Sequence, residues 1–280
     1  MKILPCLLCL LFAGCVDLSG LMRVKPDGSG EIRIKIYQPY NNPKSIQKQR
    51  QARKSLGLLD QILGNVKDVA QAQLSLLFNP NSPQQLQQLA WVFGPEVKLG
   101  RHQAITRADG APGVLAEFSF SDVTRLEIGP QTLGPTAPDE RMVPPWAYRF
   151  KRDPVAGRLT LVAPDFSRVE GALSVRESMM GADQIPGFEK VLRAAVEEGG
   201  LKFQLQVDDK ITATNSAYPQ PELGNIVSLV NIRFHTLVKE IGFEGLMTLR
   251  TPADLRRFGR KKTPGLELED PVRPLVIVYE

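Results

Sequence analysis

Apolar and charged residues alternate at Ile32, Arg33, Ile34, Lys35 and Ile36, the period of two that marks a strand with one buried and one wet face. Upstream, Leu18 to Val24 forms a second strand-like run, and Lys25-Pro26-Asp27-Gly28-Ser29-Gly30 separates the two. Proline presets φ for a turn and Gly28 or Gly30 accepts positive φ, so the pattern predicts a hairpin over 18–37. The spacing changes downstream. Leu56, Leu59, Ile62, Leu63 and Val66 recur at helical intervals, behind a polar stretch containing Lys44, Lys48, Arg50, Arg53 and Lys54. That stretch reads as a solvated helix face or as a basic arm for phosphates.

Ser82-Pro83-Gln84-Gln85 is a helix start: serine caps, proline takes the first helical position, and Gln85 can return the capping-box bond. The helix is expected to run to about Phe93 before Gly94-Pro95 stops it. Strands follow at 97–106 and 114–120. A second hairpin is predicted from 146–152 and 158–162 around Asp153-Pro154-Val155-Ala156-Gly157. Val191, Leu192, Ala195 and Val196 place a helix over 188–198, ended by Gly199-Gly200. Strands are expected at 201–207, 211–214, 226–232 and 275–279, with Asp208-Asp209-Lys210 as a tight turn and Thr251-Pro252 opening another helix. Hairpins interleaved with single helices predict an α+β fold with mainly antiparallel sheets. Residues 129–145 carry five prolines and read as a linker or long loop, dividing the chain into α+β segments 15–128 and 146–280.

Composition changes the picture at one end only. The 280 residues contain three cysteines, Cys6, Cys9 and Cys15. Lys2 is followed by an apolar run through Phe12, then Ala13-Gly14-Cys15, the grammar of a signal peptide over 1–14. A helix over Ile3 to Ala13 rises about 16 Å, short of a hydrocarbon core of roughly 30 Å. Cys6-Leu7-Leu8-Cys9 falls inside this leader, so its C-x-x-C spacing is not read as a redox or metal motif. Cys15 would be the one cysteine of the mature chain, which then has no disulfide. The formal charge of +5 becomes 5 − 1 = +4 without Lys2, a mild bias toward anionic surfaces. Export sets nucleic acid aside as a partner.

No motif identifies a reaction. His102 and His235 are the only histidines and belong to no zinc-ligand pattern. Gly28-Ser29-Gly30 lacks the strand-to-helix setting of a nucleophile elbow. Gly259-Arg260-Lys261-Lys262-Thr263 has the wrong first-glycine spacing for a phosphate loop. The acidic groups Glu197-Glu198, Asp208-Asp209 and Glu267/Glu269/Asp270 have no catalytic spacing. No cofactor or metal is implied. The densest basic cluster, Arg256, Arg257, Arg260, Lys261 and Lys262, reads as an anion or lipid-headgroup contact, or as solvated cations closing a helix.

The run Leu10-Leu11-Phe12-Ala13-Gly14-Cys15 resembles a bacterial lipobox, with Phe12 where leucine is usual. The resemblance implies that the Cys15 thiol is acylated. By the same resemblance, Val16 rather than aspartate after the cysteine implies the outer membrane over the inner. The ordering of lipobox, Asp27-Gly28-Ser29-Gly30 hairpin, 114–120 strand with Asp122, and Ile211-Thr212-Ala213-Thr214-Asn215-Ser216 resembles a class of uncharacterised bacterial lipoproteins. It is similar in part to LppM-type lipoprotein domains, with Asp208-Asp209-Lys210 replacing their Pro-Gly turn. That similarity implies a β-rich module associated with envelope lipids and supplies no catalytic residue. The expectation is a bacterial envelope lipoprotein, held to the membrane through lipidated Cys15, that binds or scaffolds envelope lipid, polymer or protein without catalysis. The alternative is an envelope hydrolase without a recognisable motif.

Overall fold

A computed structural model of the chain describes residues 17–37, 83–90, 93–128, 148–162, 199–223, 225–247, 263–269 and 273–280. The first hairpin consists of β1 (Asp17–Val24) and β2 (Gly30–Tyr37), paired antiparallel with Met22 opposite Ile32. Its turn closes through Lys25 N–H to the Ser29 carbonyl (2.8 Å) and Gly28 N–H to the Lys25 carbonyl (2.9 Å), with Gly28 at φ 89°. A side chain is strained at that φ, so the Asp-Gly pair sets the turn.

Helix α1 (Pro83–Ala90) precedes a second antiparallel pair, β3 (Lys98–Thr106) and β4 (Pro112–Phe120). A short 3₁₀ turn at Val123–Arg125 leads into β5 (Glu127–Ile128). The next hairpin is β6 (Tyr148–Asp153) with β7 (Arg158–Val162). Then come β8 (Gly200–Val207), β9 (Ile211–Thr214), β10 (Pro219–Gln220) and β11 (Ile226–Arg233). Helix α2 (Phe234–Met247), broken at Gly242, is followed by β12 (Leu266–Leu268) and β13 (Leu275–Tyr279).

These strands form two sheets. The larger has eight strands in the order β10-β11-β8-β1-β2-β4-β3, with β12 also paired to β11; the smaller runs β5-β6-β7-β13-β9. The result is a β-rich α+β fold. The large sheet is mixed, because β1 lies parallel to β8 with Met22 against Leu205; the other described pairings are antiparallel. No local pattern announces that contact. Its strands stand far apart in sequence, and alternation reports which face is buried, not which strand lies alongside.

The alternation itself is realised. Met22, Val24, Ile32, Ile34, Ile36, Val114, Ala116, Phe118 and Leu205 share the inner face, each at most 3% exposed. Phe150, Leu159, Leu161, Leu275, Ile277 and Tyr279 of the small sheet join them in one continuous cluster, with Leu86 and Ala90 of α1. Fully burying a side chain such as Ile or Phe is worth about 1.5–3 kcal/mol, so this cluster holds the two sheets together. Both sheets and the core draw on residues from 15–128 and from 146–280, so the proline-rich stretch does not separate two cores. Composition marks a stretch as loop-like, but only strand pairing decides which segments share a core.

Asp208-Asp209-Lys210 is a turn between strands, as expected, and it carries the chain from β8 of the large sheet to β9 of the small one. Helix α1 is described only to Ala90, with the Phe93 N–H bonded to the Ala90 carbonyl at 3.0 Å. The helices expected over 56–66 and 188–198 and after Thr251, and the capping Ser82, lie outside the described residues.

Candidate functional site

The outer face of the large sheet carries its polar residues in rows set by the strand register. One row places Arg101, Glu117 and Arg33 directly opposite one another on β3, β4 and β2. Arg33 reaches Glu117 at 3.3 Å and Glu31 at 2.9 Å, and Arg101 also donates to Glu117. In the neighbouring row Arg23 stands opposite Glu31 (3.9 Å) and donates to Asp208. Cations and carboxylates thus alternate across four strands. The hydrogen bond from Arg101 holds the Glu117 carboxyl below its ordinary range, with the charges of Arg101 and Arg33 adding to the effect.

Toward the start of β1 this matching ends. Lys35 of β2 and Lys202 of β8 both stand opposite Ser19, and Arg233 at the end of β11 stands opposite Gly200, itself opposite Asp17. Asp17 is bound instead by Arg107, from the turn between β3 and β4, at 3.0 Å. Arg107 also forks onto Asp109 at 2.9 and 2.6 Å, and its guanidinium carbon lies 5.9 Å from the centre of the Tyr37 ring. The Arg107 bonds push the Asp109 carboxyl far below the carboxylate range, and its own proton is held more tightly in return.

The Thr-Asn segment joins the two sheets. Asn215 donates to the Pro274 carbonyl (2.9 Å) and accepts from the Val276 N–H (2.7 Å) in the small sheet. Next to it, the Ser216 hydroxyl and the Ala217 and Tyr218 N–H groups converge on Glu269, just past β12 of the large sheet. Burial raises the Tyr218 phenol above its ordinary value. This stretch of Thr, Asn and Ser is therefore bonded for architecture.

Other candidates from the sequence are placed as follows. His102 is half-buried on β3 at one edge of the large sheet, and His235 is exposed at the start of α2, beyond β11. Four strands, β8, β1, β2 and β4, lie between β3 and β11, about 24 Å at the usual strand spacing, so the histidines do not meet. The Ser29 hydroxyl donates to Asp27 at 2.7 Å, which with the Ser29 N–H lowers that carboxyl. Asp208 is engaged by Arg23, and Glu267 accepts from Asn231 at 2.9 Å. Among the described residues no three His, Cys, Asp or Glu side chains gather to hold a metal ion, and no helix is long and apolar enough to cross a membrane.

An open hollow of about 230 Å³ lies between the edges of the two sheets, lined by Ile211, Thr212, Thr214, Pro219, Asn225 and Ile226. It is smaller than the roughly 300–1,000 Å³ of ordinary ligand pockets and has a mixed polar lining. Cys15 and the cluster Arg256, Arg257, Arg260, Lys261 and Lys262 lie outside the described residues, as do Glu197, Glu198 and Asp270. The residues that sequence reading passed over are Arg107, Lys202 and Arg233. A lone cation in a turn or strand carries no local signal, and only the register brings these to one end of β1.

No protein-family model matches the chain, and no curated protein sequence does. Among solved structures, the folded domain of the Mycobacterium tuberculosis LppM protein is similar at 9% identity and a TM-score of 0.29, over 76% of this chain and 80% of that one. At that score the likeness says nothing further about this chain.

Proposed function

We propose that the protein is a bacterial envelope lipoprotein, anchored through acylated Cys15, whose β-rich body binds or scaffolds envelope components without catalysing a reaction. The observation that carries this reading is the position of β1. It begins at Asp17, two residues after Cys15, so a chain reach of at most about 7 Å separates the acylation site from the sheet. An anchor at Cys15 would hold the body against the bilayer with almost no linker. One acyl chain binds only marginally at about 0.8 kcal/mol per buried CH₂, whereas two or three chains hold firmly, as a lipobox implies. Val16 favours the outer membrane as the destination.

The non-catalytic part of the reading rests on where the polar side chains are spent. Ser29, Asp27, Asn215, Ser216, Glu269 and Asp208 each have structural partners. Palmitate labelling of cells expressing the full chain tests the anchor: label in wild type and none in Cys15→Ser is expected. Equal labelling of the two removes the anchor and with it this function.

A further inference from the structure

The outer face of the large sheet divides along β1 into a zone of mostly paired cations and a zone of unpaired ones. Away from the start of β1, Arg23, Arg33 and Arg101 each pair with a carboxylate, and Lys98, in the row of Arg23 and Glu31, is the one cation there without an ion pair among the described residues. Near the start of β1, Lys35, Lys202 and Arg233 share the same face and form no ion pair among the described residues. Lys35 and Arg233 are exposed and Lys202 is half-buried. By register the nearest acids are Asp17, paired with Arg107, and Glu267, which accepts from the neutral Asn231, keeps its charge and lies two strands from Lys202. That leaves three cations on this face against one uncompensated carboxylate.

We infer that this face is a docking surface for the anionic headgroups of the bilayer that holds Cys15. This rests on the anchored reading for where the membrane lies. Lys35 and Lys202 flank Ser19 on adjacent strands, about 10 Å apart, and their row lies about 7 Å along β1 from Asp17. The row therefore lies at most about 14 Å of chain from Cys15, and tipping the body onto this face brings the cations within a Debye length of the surface, about 8–10 Å, where their attraction is felt. The charge-matched zone begins farther along the same strand, where a membrane would gain nothing from it. The body accordingly tips onto its outer face beside the anchor, with the turn at Lys25–Ser29 leading away from the bilayer.

The test is flotation of the full chain carrying Cys15→Ser with vesicles of phosphatidylcholine alone or of equal phosphatidylcholine and phosphatidylglycerol, at low and physiological salt. The leader's apolar run contributes to both vesicle types and Lys2 adds the same anionic preference to every variant, so the difference between variants reads the body. The expected result is tighter binding to phosphatidylglycerol vesicles, weakened by salt and reduced about tenfold or more by Lys35→Gln/Lys202→Gln/Arg233→Gln. The charge-conserving Lys35→Arg/Lys202→Arg/Arg233→Lys retains it, which separates charge from folding. Lys25→Gln/Lys151→Gln/Lys210→Gln removes the same charge from the other end of the body and is expected to leave binding within about twofold. No preference for phosphatidylglycerol, or an equal loss in both neutralised variants, overturns the docking surface. Palmitate labelling of Cys15 is read separately, so the anchor and the docking surface fail independently.

Discussion

Glu117 stands directly opposite Arg33 in the β2–β4 register, 3.3 Å from its guanidinium, and is shared with Arg101 on the other side. The Glu117 side chain is only 14% exposed while Arg101 is 77% exposed, so the carboxylate is the fixed centre and the arginines fold over it. Cross-strand pairs of opposite charge contribute roughly 0.2–1 kcal/mol and specify which strand faces which. At β2–β4 this matters because the inner face of β2 repeats Ile32, Ile34 and Ile36, which say little about register.

Glu117→Gln is expected to cost less than about 1 kcal/mol at low salt and still less at high salt, because exposed ion pairs are weak and screened. The Arg33→Ala and Glu117→Gln double-mutant cycle, read by urea unfolding, is expected to give a coupling below about 1 kcal/mol. A coupling of several kcal/mol would mean that the pair is shielded from solvent and that the outer face is covered there.

Gly20 has a different kind of neighbour. A Cβ built on it would lie 2.4 Å from the Phe203 ring, which lies stacked with Phe93 at 6.0 Å between centroids. The parallel register puts Gly20 opposite Phe203, so the missing side chain makes room for the ring. Gly20→Ala is expected to destabilise by about 1–3 kcal/mol through overpacking. Phe203→Leu in the same chain should recover part of that loss. Additive costs in the two-residue cycle would show that the ring moves freely out of the way.

How much of this was legible in the sequence depends on whether the determinant was local. Ile32, Ile34 and Ile36 declare their face by alternation, and Lys25 to Gly30 declares a turn by residue chemistry, so the first hairpin is found where it was expected. The strands at 98–106, 158–162 and 275–279 follow the same logic. The β1–β8 pairing and the joining of 15–128 with 146–280 in common sheets were not legible, because they depend on contacts between distant segments. Of helix α2 only the start was legible, at the strand-to-helix junction by His235; its extent was not, because Gly242 interrupts the apolar spacing. Asn215 and Ser216 were noticed as a motif, but their use in joining the sheets became clear only from their partners. For the candidate site, the gap between Cys15 and the first strand was readable, whereas the grouping of Lys35, Lys202 and Arg233 required the register.

Asn215→Ala removes both the donor to Pro274 and the acceptor for Val276 where β9 leaves the small sheet. Solvent reaches this site, so the expected cost is about 1 kcal/mol for the pair, not the penalty of a buried orphan. Urea unfolding measures the cost through a lower midpoint at unchanged slope. Hydrogen exchange at Val276 is expected to accelerate. Unchanged exchange there would show that strand pairing alone fixes this end of β13.

Stability is expected to fall in acid. Asp122 is lowered mainly by the Thr124 N–H and then by the Thr124 hydroxyl, and Asp27 by the hydroxyl and N–H of Ser29. A carboxyl whose folded pKa lies below its unfolded value stabilises the fold above the unfolded value, about 3.9, and loses that contribution as pH falls through the folded one. The thermal midpoint should therefore be unaffected by these groups between about pH 5 and 8 and decline below about pH 4. Asp122→Asn keeps an acceptor for Thr124 but cannot titrate, so its decline should be shallower. An identical acid slope in wild type and Asp122→Asn would assign acid sensitivity to other groups.

Arg107 ties the first residue of β1 to the turn between β3 and β4, through Asp17 at 3.0 Å, while its contact with Tyr37 secures the end of β2. β1 already has a strand on each side, so Arg107→Ala should leave the fold intact and change its end. The expected effect is faster hydrogen exchange confined to about the first three residues of β1, with the global unfolding midpoint shifted by no more than a surface substitution allows, roughly 0.5 kcal/mol. Asp17→Asn keeps the side chain's shape but weakens the charge-assisted bond, and should give a smaller change at the same amides. In the anchored reading, this contact makes the junction between acyl chain and sheet stiff, so loosening it lets the body swing relative to the bilayer. A spin label at the exposed position Lys25 of vesicle-bound protein, in the turn that leads away from the bilayer, would then show greater mobility in Arg107→Ala than in wild type. Unchanged amide exchange at 17–19 together with unchanged label mobility would show that the pairing of β1 with β2 and β8 is sufficient to hold the junction without this arginine.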